Sequence, residues 1–156
     1  MAKINFASVG NQVDTSIQTQ LTGSVLPLGF KTPLQLGVSG EGILAMHFTF
    51  EQQLADNFRN LLYTNHGERL ELYDFGANLR PLTTELYNED NFDAVAIRRI
   101  KLATEKYMPF LFLKTFESKL DRFNNQQTGK IIIKIVYDIP LLRVVDKEMN
   151  VTLYVI

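Results

Sequence analysis

The sequence predicts an α+β fold, with two main helices packed on one face of a small, mostly antiparallel sheet and an extended N-terminal arm. Apolar residues recur at the spacing of one helical face from Leu54 to Leu62 and again from Phe92 to Tyr107. The last third is strand-like, above all the β-branched run Lys130-Ile131-Ile132-Ile133-Lys134-Ile135-Val136-Tyr137. Helical segments followed by strand segments give a layered α+β arrangement.

The 156 residues suffice for one domain with a real core, read as an arm over 1–40 and an α+β domain over 41–156. A hydrophobic fraction of 46% with 21% charged residues is that of an ordinary globular protein. Lys+Arg of 16 against Asp+Glu of 17 leaves a formal net charge of -1. Binding to a nucleic-acid backbone needs a basic excess or stripe, so nucleic acid is not an expected partner. The absence of cysteine removes disulfides, thiol nucleophiles and cysteine-ligated metal sites together, which fits a reducing compartment. No apolar run reaches the roughly 18 residues of a membrane span. The start, Met1-Ala2-Lys3-Ile4-Asn5-Phe6, lacks the apolar segment of a signal peptide.

Residues 1–40 are poor in charge and rich in Gln, Thr, Ser, Gly and Val; Pro27 and Pro33 break any helix there, and Gly37, Gly40 and Gly42 make its end turn-rich. An arm packed on a neighbour or on the domain, and a free tail, both fit. Thr49 with Gln52 three residues on marks the start of the first helix, whose Leu54, Phe58, Leu61 and Leu62 share a face. Asn65-His66-Gly67 is expected to end it, with Gly67 in the left-handed conformation. Pro81 suits the first turn of a short helix. A second long helix is expected from Asp90 or Asn91 to Tyr107, burying Phe92, Ala96, Ile100, Ala103 and Tyr107, with Pro109 stopping it. Alternation over 112–119 predicts a strand, a polar turn follows over 124–129, and strands over 130–137, ended by Pro140, and 151–156 complete the sheet.

Glu68 and Arg69 are adjacent, so on a regular element they do not face each other and must find different partners. Glu68 with Glu71 or Asp74 has the residue types of a glycosidase pair, yet the chain has no tryptophan to stack a sugar. A structural salt-bridge and turn role is the alternative. His66-Gly67-Glu68 has the letters of a deaminase motif without the cysteine pair its zinc needs, so no metal site and no cofactor is expected. The run from Gly37 to Gly42 has no following lysine and reads as a joint rather than a phosphate loop. Arg98, Arg99, Lys101 and Lys106 are diluted by Glu85, Glu89, Asp90 and Glu105, which suits a solvated helix face or a protein interface. Residues 151–156 are apolar and strand-like; they fit either an interior strand or an edge that exchanges with another subunit.

Pro33-Leu34, a helix, Leu62-Tyr63-Thr64-Asn65-His66-Gly67-Glu68-Arg69, then Asp74-Phe75-Gly76 with Leu79, together resemble the baseplate wedge family of contractile phage tails. That family includes the equivalent baseplate subunit of type VI secretion systems, and the resemblance runs from about residue 30 to the end. Two departures stand out: Tyr73 occupies the place of a usual proline, and Met108-Pro109-Phe110 replaces a Glu-Pro-Arg signature. The resemblance implies a non-enzymatic subunit, present in multiple copies around the tail axis, in a virion baseplate assembled in the host cytoplasm. Its implied partners are other wedge proteins, the tail sheath protein and the tail tube, with no membrane. Gly67, Glu68, Arg69, Asp74, Phe75 and Gly76 are expected to hold the inter-helix turn. Tyr107, Met108, Pro109 and Phe110 are expected at wedge contacts. Sheath polymerisation would start by strand pairing over 130–137 and 151–156, including Val151, Leu153 and Val155. A peptidoglycan-hydrolysing tail component, or the secretion-system counterpart, is the alternative.

Overall fold

The computed structural model describes residues 26–37, 43–84, 89–122 and 129–155. The chain divides into two compact units between Asp56 and Asn57. Of the expected arm, residues 1–25 and 38–40 lie outside the described residues, as do 38–42 of the glycine-rich joint, 124–128 of the polar turn before β4, Glu85, and Ile156 of the last expected strand.

In the first unit, residues 26–37 pair with residues 43–47. Strand β1 (Gly29–Phe30) runs antiparallel to β2 (Met46–His47), and an isolated bridge joins Leu36 to Leu44. Leu28 N–H donates to His47 O at 2.8 Å, Lys31 N–H to Ala45 O at 3.0 Å, and Ala45 N–H to Gln35 O at 2.9 Å. Helix α1 (Phe50–Tyr63) starts in this unit, where the Thr49 hydroxyl accepts from Gln52 N–H at 3.4 Å. His47 and Asp56 are both buried, with Nε2 2.6 Å from Asp56 Oδ2, and Thr32 N–H donates to the same oxygen at 2.8 Å. Asp56 thus ties a segment 24 residues away onto the start of the helix.

Burial works to raise the Asp56 pKa, but the Thr32 N–H bond and the His47 contacts outweigh it and hold the carboxyl below the usual aspartate range. A carboxyl depressed in the folded state contributes stability that is complete above its unfolded value, about 4, and lost as pH falls below it. Urea unfolding at pH 6 and pH 3 should therefore show a loss at the lower pH, and Asp56→Asn should shrink that difference while lowering stability at pH 6.

The second unit contains the remainder of α1, helix α2 (Glu89–Tyr107) and a three-stranded antiparallel sheet, β3 (Phe112–Arg122), β4 (Gly129–Ile139) and β5 (Val144–Val155), in the order β3-β4-β5. β4 buries Ile131, Ile133, Ile135, Tyr137 and Ile139, the alternate positions of one face. Across the ladder Ile131 faces Leu153, Ile133 faces Val151 and Ile135 faces Met149, all buried. Phe58 of α1 meets Tyr137 edge-to-face at 4.9 Å, and α2 buries Phe92, Ala96, Ile100 and Ala103. Ser118 Oγ donates to Asp93, joining β3 to α2. The opposite face of the sheet carries charged pairs beside Ile132 and Val136: Lys134 pairs with Glu148 at 2.8 Å and Lys130 with Asp121 at 3.5 Å. Such exposed cross-strand pairs are each worth only tenths of a kcal/mol, up to about 1.

Four expectations need correction. Helix α1 stops at Tyr63, and Gly67, though at φ 85, lies in the turn beyond it. β5 begins at Val144, not at 151, because the short 3-10 turn Pro140–Leu142 and a left-handed Arg143 (φ 54) reverse the chain within a few residues. The alternation of β3 breaks at Lys114, where the register shifts between Leu113 and Thr115. Residues 130–137 cannot offer an edge, because β4 is the central strand and both its sides are bonded.

Candidate functional site

The segment 64–80 turns back from the end of α1 and is fastened at many points. Asn65 uses its whole amide group. Its backbone N–H and Nδ2 donate to the two Glu68 carboxylate oxygens at 2.7 and 2.8 Å, and its Oδ1 accepts from Arg80 N–H at 3.2 Å. Gly67 N–H donates to Tyr73 O at 2.7 Å, closing the loop. The returning chain satisfies carbonyls that the helix end leaves open: Ala77 N–H donates to Leu61 O at 2.9 Å and Asn78 N–H to Thr64 O at 3.3 Å. Gly76, at φ 111, lies so close to the helix end that a Cβ there would sit 2.1 Å from Thr64 O. Glu71 and Asn78 also take positive φ, 66 and 50, a region that asparagine enters readily and glutamate rarely.

Helix α2 grips the same loop from the other side. Asn78 O accepts from Arg99 at 2.6 Å, Asp74 accepts from Tyr107 Oη at 2.8 Å and pairs with Lys106, and Phe75 meets Tyr107 edge-to-face at 4.9 Å. The Arg69 guanidinium lies 4.2 Å from the Phe75 ring centroid, a cation–π contact. Glu68 and Arg69 have separate partners, Asn65 and Phe75. Hydrogen bonds from the Asn65 side chain, then from its backbone, hold Glu68 below the usual glutamate range. The Lys106 and Tyr107 hydrogen bonds do the same for Asp74 and raise Lys106. A cleft of about 390 Å³ opens between the loop and α2, bordered by His66, Asp74, Asn78, Arg99, Leu102 and Lys106.

The second feature is the sheet margin. Among the described residues β3 and β5 each have a strand on one side only. Thr152 N–H points away from β4 and donates to Tyr63 Oη at 3.1 Å. In a regular antiparallel ladder residues two apart send their groups the same way, so Asn150 N–H is also turned outward. Beside β3 a groove of about 460 Å³ is lined by Ile97, Pro109, Leu111, Phe112 and Phe116.

Gly67, Glu68, Arg69, Asp74, Phe75 and Gly76 all fall within the fastened loop. Tyr107 is half-buried against it, Met108 is buried, Pro109 is exposed and Phe110 is half-buried. Val151 and Leu153 are core residues, so β5 can offer a partner its backbone but not these side chains. Val155 is paired through its backbone with Gly129, and its side chain lies outside what is described. Asn78, Arg99 and Tyr63 were not singled out from the sequence as residues of the loop or sheet margin, and Asn65 was named for the end of the helix rather than as the partner of Glu68 and Arg80. The spacing Asn65-x-x-Glu68 is the one local signal that could have found any of them, since it matches a short polar side chain answered by a glutamate three residues on. Among the described residues no group of three or more His, Cys, Asp or Glu could hold a metal ion, and no helix is long and apolar enough to cross a membrane.

No protein-family model matches the chain. No curated protein matches it either. Solved structures do share its fold. A chain of the anti-feeding prophage baseplate superimposes with a TM-score of 0.56 at 16% identity, over 70% of this chain and 82% of that one. A proposed tail lysozyme from Geobacter sulfurreducens gives 0.50 at 20% identity, over 67% and 87%. A chain of the type VI secretion baseplate complex gives 0.44 at 21% identity, over 67% and 92%.

Proposed function

We propose that this chain is a structural subunit of a contractile injection-system baseplate, binding other baseplate proteins and starting sheath polymerisation by lending β backbone. The observation that carries the reading is that, among the described residues, no strand pairs with the outer side of β3 or of β5, although Thr152 N–H on the β5 margin is already taken by Tyr63 Oη. Strand addition satisfies such outward N–H and C=O groups, and alternating side chains set its register. The fold shared with the anti-feeding prophage baseplate chain supports the same reading. The fastened loop supplies a corner held at many points by hydrogen bonds, which suits an assembly platform.

Asn150→Pro tests it. The substitution removes an outward N–H while leaving the ladder to β4 unbroken, which an edge strand tolerates. The expected result is a melting temperature within a few degrees of wild type, with at least a tenfold loss in nucleating the sheath protein of the same system. Asn150→Ala should nucleate normally. Wild-type nucleation by Asn150→Pro would remove the β5 margin from the argument.

The likeness to a proposed tail lysozyme makes hydrolysis the rival reading. A glycosidase acid must keep its proton near neutrality, which requires a raised pKa. Glu68 and Asp74 are both shifted the other way, and both Glu68 oxygens are occupied by Asn65. Purified cell walls should keep their turbidity equally with wild type and with Glu68→Gln. Clearing by wild type alone would establish the rival.

A further inference from the structure

The cleft between the loop and α2 holds an unbalanced charge. Lys106 is neutralised by Asp74. Arg99 is half-buried, and among the described residues its bond is to a carbonyl, Asn78 O at 2.6 Å, rather than to a carboxylate. One hydrogen bond occupies a fraction of the five N–H donors of a guanidinium and also fixes its plane. A cation oriented this way has already lost much of its rotamer freedom, so a bidentate carboxylate gains more from it than from a free surface arginine.

The surroundings narrow what brings the carboxylate. Leu102 borders the cleft and is 57% exposed. Tyr73, next to Asp74 in the chain, is 67% exposed, and Leu70 is 86% exposed. Tyr73 and Leu70 sit on a loop whose backbone is held by Gly67 N–H to Tyr73 O and Phe75 N–H to Leu72 O, and Leu102 sits on α2. Exposed apolar residues on a rigid support, tyrosine among them, are the composition of a binding hot spot. Inorganic anions and nucleic-acid phosphates would make no use of Leu102 or of the apolar wall formed with Ala77 and Ala103. An acidic side chain flanked by apolar ones would use both parts.

We propose that this cleft is a docking site for a protein segment presenting a glutamate or aspartate between apolar residues. Its carboxylate pairs with Arg99, and its apolar neighbours cover Leu102 and Tyr73. The chemistry stands on this cleft alone; only the expectation that the segment belongs to another baseplate protein rests on the function proposed above.

The test uses the full ¹⁵N-labelled chain and three probes: acetyl-Leu-Glu-Leu-amide, acetyl-Leu-Gln-Leu-amide and inorganic phosphate. The acidic peptide should give saturable shifts at Arg99 Nε–H and at the amides of Gly76, Ala77 and Asn78. The glutamine peptide and phosphate should each bind at least tenfold more weakly. Arg99→Gln should abolish the response. Because Arg99 also ties α2 to the loop, Leu102→Ser serves as the second variant: it is exposed, leaves the fold alone and should weaken the acidic peptide several-fold. Equal response to both peptides, equal response to phosphate, no response at all, or full binding by Leu102→Ser overturns the proposal. None of these outcomes depends on sheath nucleation, so failure here and failure of the baseplate reading are separable.

Discussion

Gly76→Ala is expected to destabilise the second unit by about 3 kcal/mol or more, lowering the melting temperature by roughly 6 to 12 °C. Two costs add. The left-handed backbone at φ 111 penalises any L side chain by about 1–2 kcal/mol. The new Cβ would also stand 2.1 Å from Thr64 O, a backbone atom that cannot swing aside as a flexible side chain could. Relief requires the loop to lift off the helix end, which lengthens the bonds from Ala77 N–H to Leu61 O and from Asn78 N–H to Thr64 O. Gly67→Ala provides the control: φ is also positive, at 85, but nothing lies within 4 Å of the added Cβ. Its loss should stay near 1 kcal/mol, the backbone cost alone. Far-UV circular dichroism is the suitable readout, because the chain has no tryptophan. Equal losses for the two variants would show that the approach to Thr64 is not what makes Gly76 necessary.

Phe58→Ala is the second large effect, with an expected loss of about 3–5 kcal/mol in urea unfolding. Phe58 is fully buried, and its ring meets Tyr137 at 4.9 Å near the end of the central strand. The substitution removes a whole ring from a site walled by helix and sheet, so the cavity collapses poorly. It also deletes an aromatic pair worth about 0.5–1.5 kcal/mol beyond the area buried. Phe58→Leu keeps most of the volume and should be clearly milder. On the function proposed above, a protein with this lesion should lose sheath nucleation through unfolding, whereas Asn150→Pro should lose it while folded. The pair of variants therefore separates stability from assembly.

The helices were largely legible because their signals are local. Thr49 caps α1 through Gln52, three residues away, and Pro109 blocks continuation of α2 from within the next turn. β4 was legible because a contiguous β-branched run is itself a local strand signal. The first half of β5 was not. Val144 to Asn150 contains Asp146, Lys147 and Glu148, whose partners are distant in the chain: Lys114 for Asp146, at 2.7 Å, and Lys134 for Glu148. A window of neighbouring residues reads those charges as loop, and only strand pairing gives them a reason to be there.

The candidate site divides the same way. Glu68, Arg69, Phe75 and Gly76 were visible as a dense polar and glycine-bearing run. Arg99 and Tyr107 were not visible as its clamps, since their partners Asn78 and Asp74 lie 21 and 33 residues away. What the sequence by itself determined is the set of elements: two helices, the isoleucine strand and a turn that must bend sharply, each set by forces acting over a few neighbouring residues. Tertiary structure alone decided that β4 lies at the centre and β3 and β5 at the margins, that Val151 and Leu153 face the core, and that Arg99 reaches the loop. Strand order and long-range hydrogen bonds depend on which surfaces meet when the chain collapses, and the spacing of residues along the chain does not encode that meeting locally.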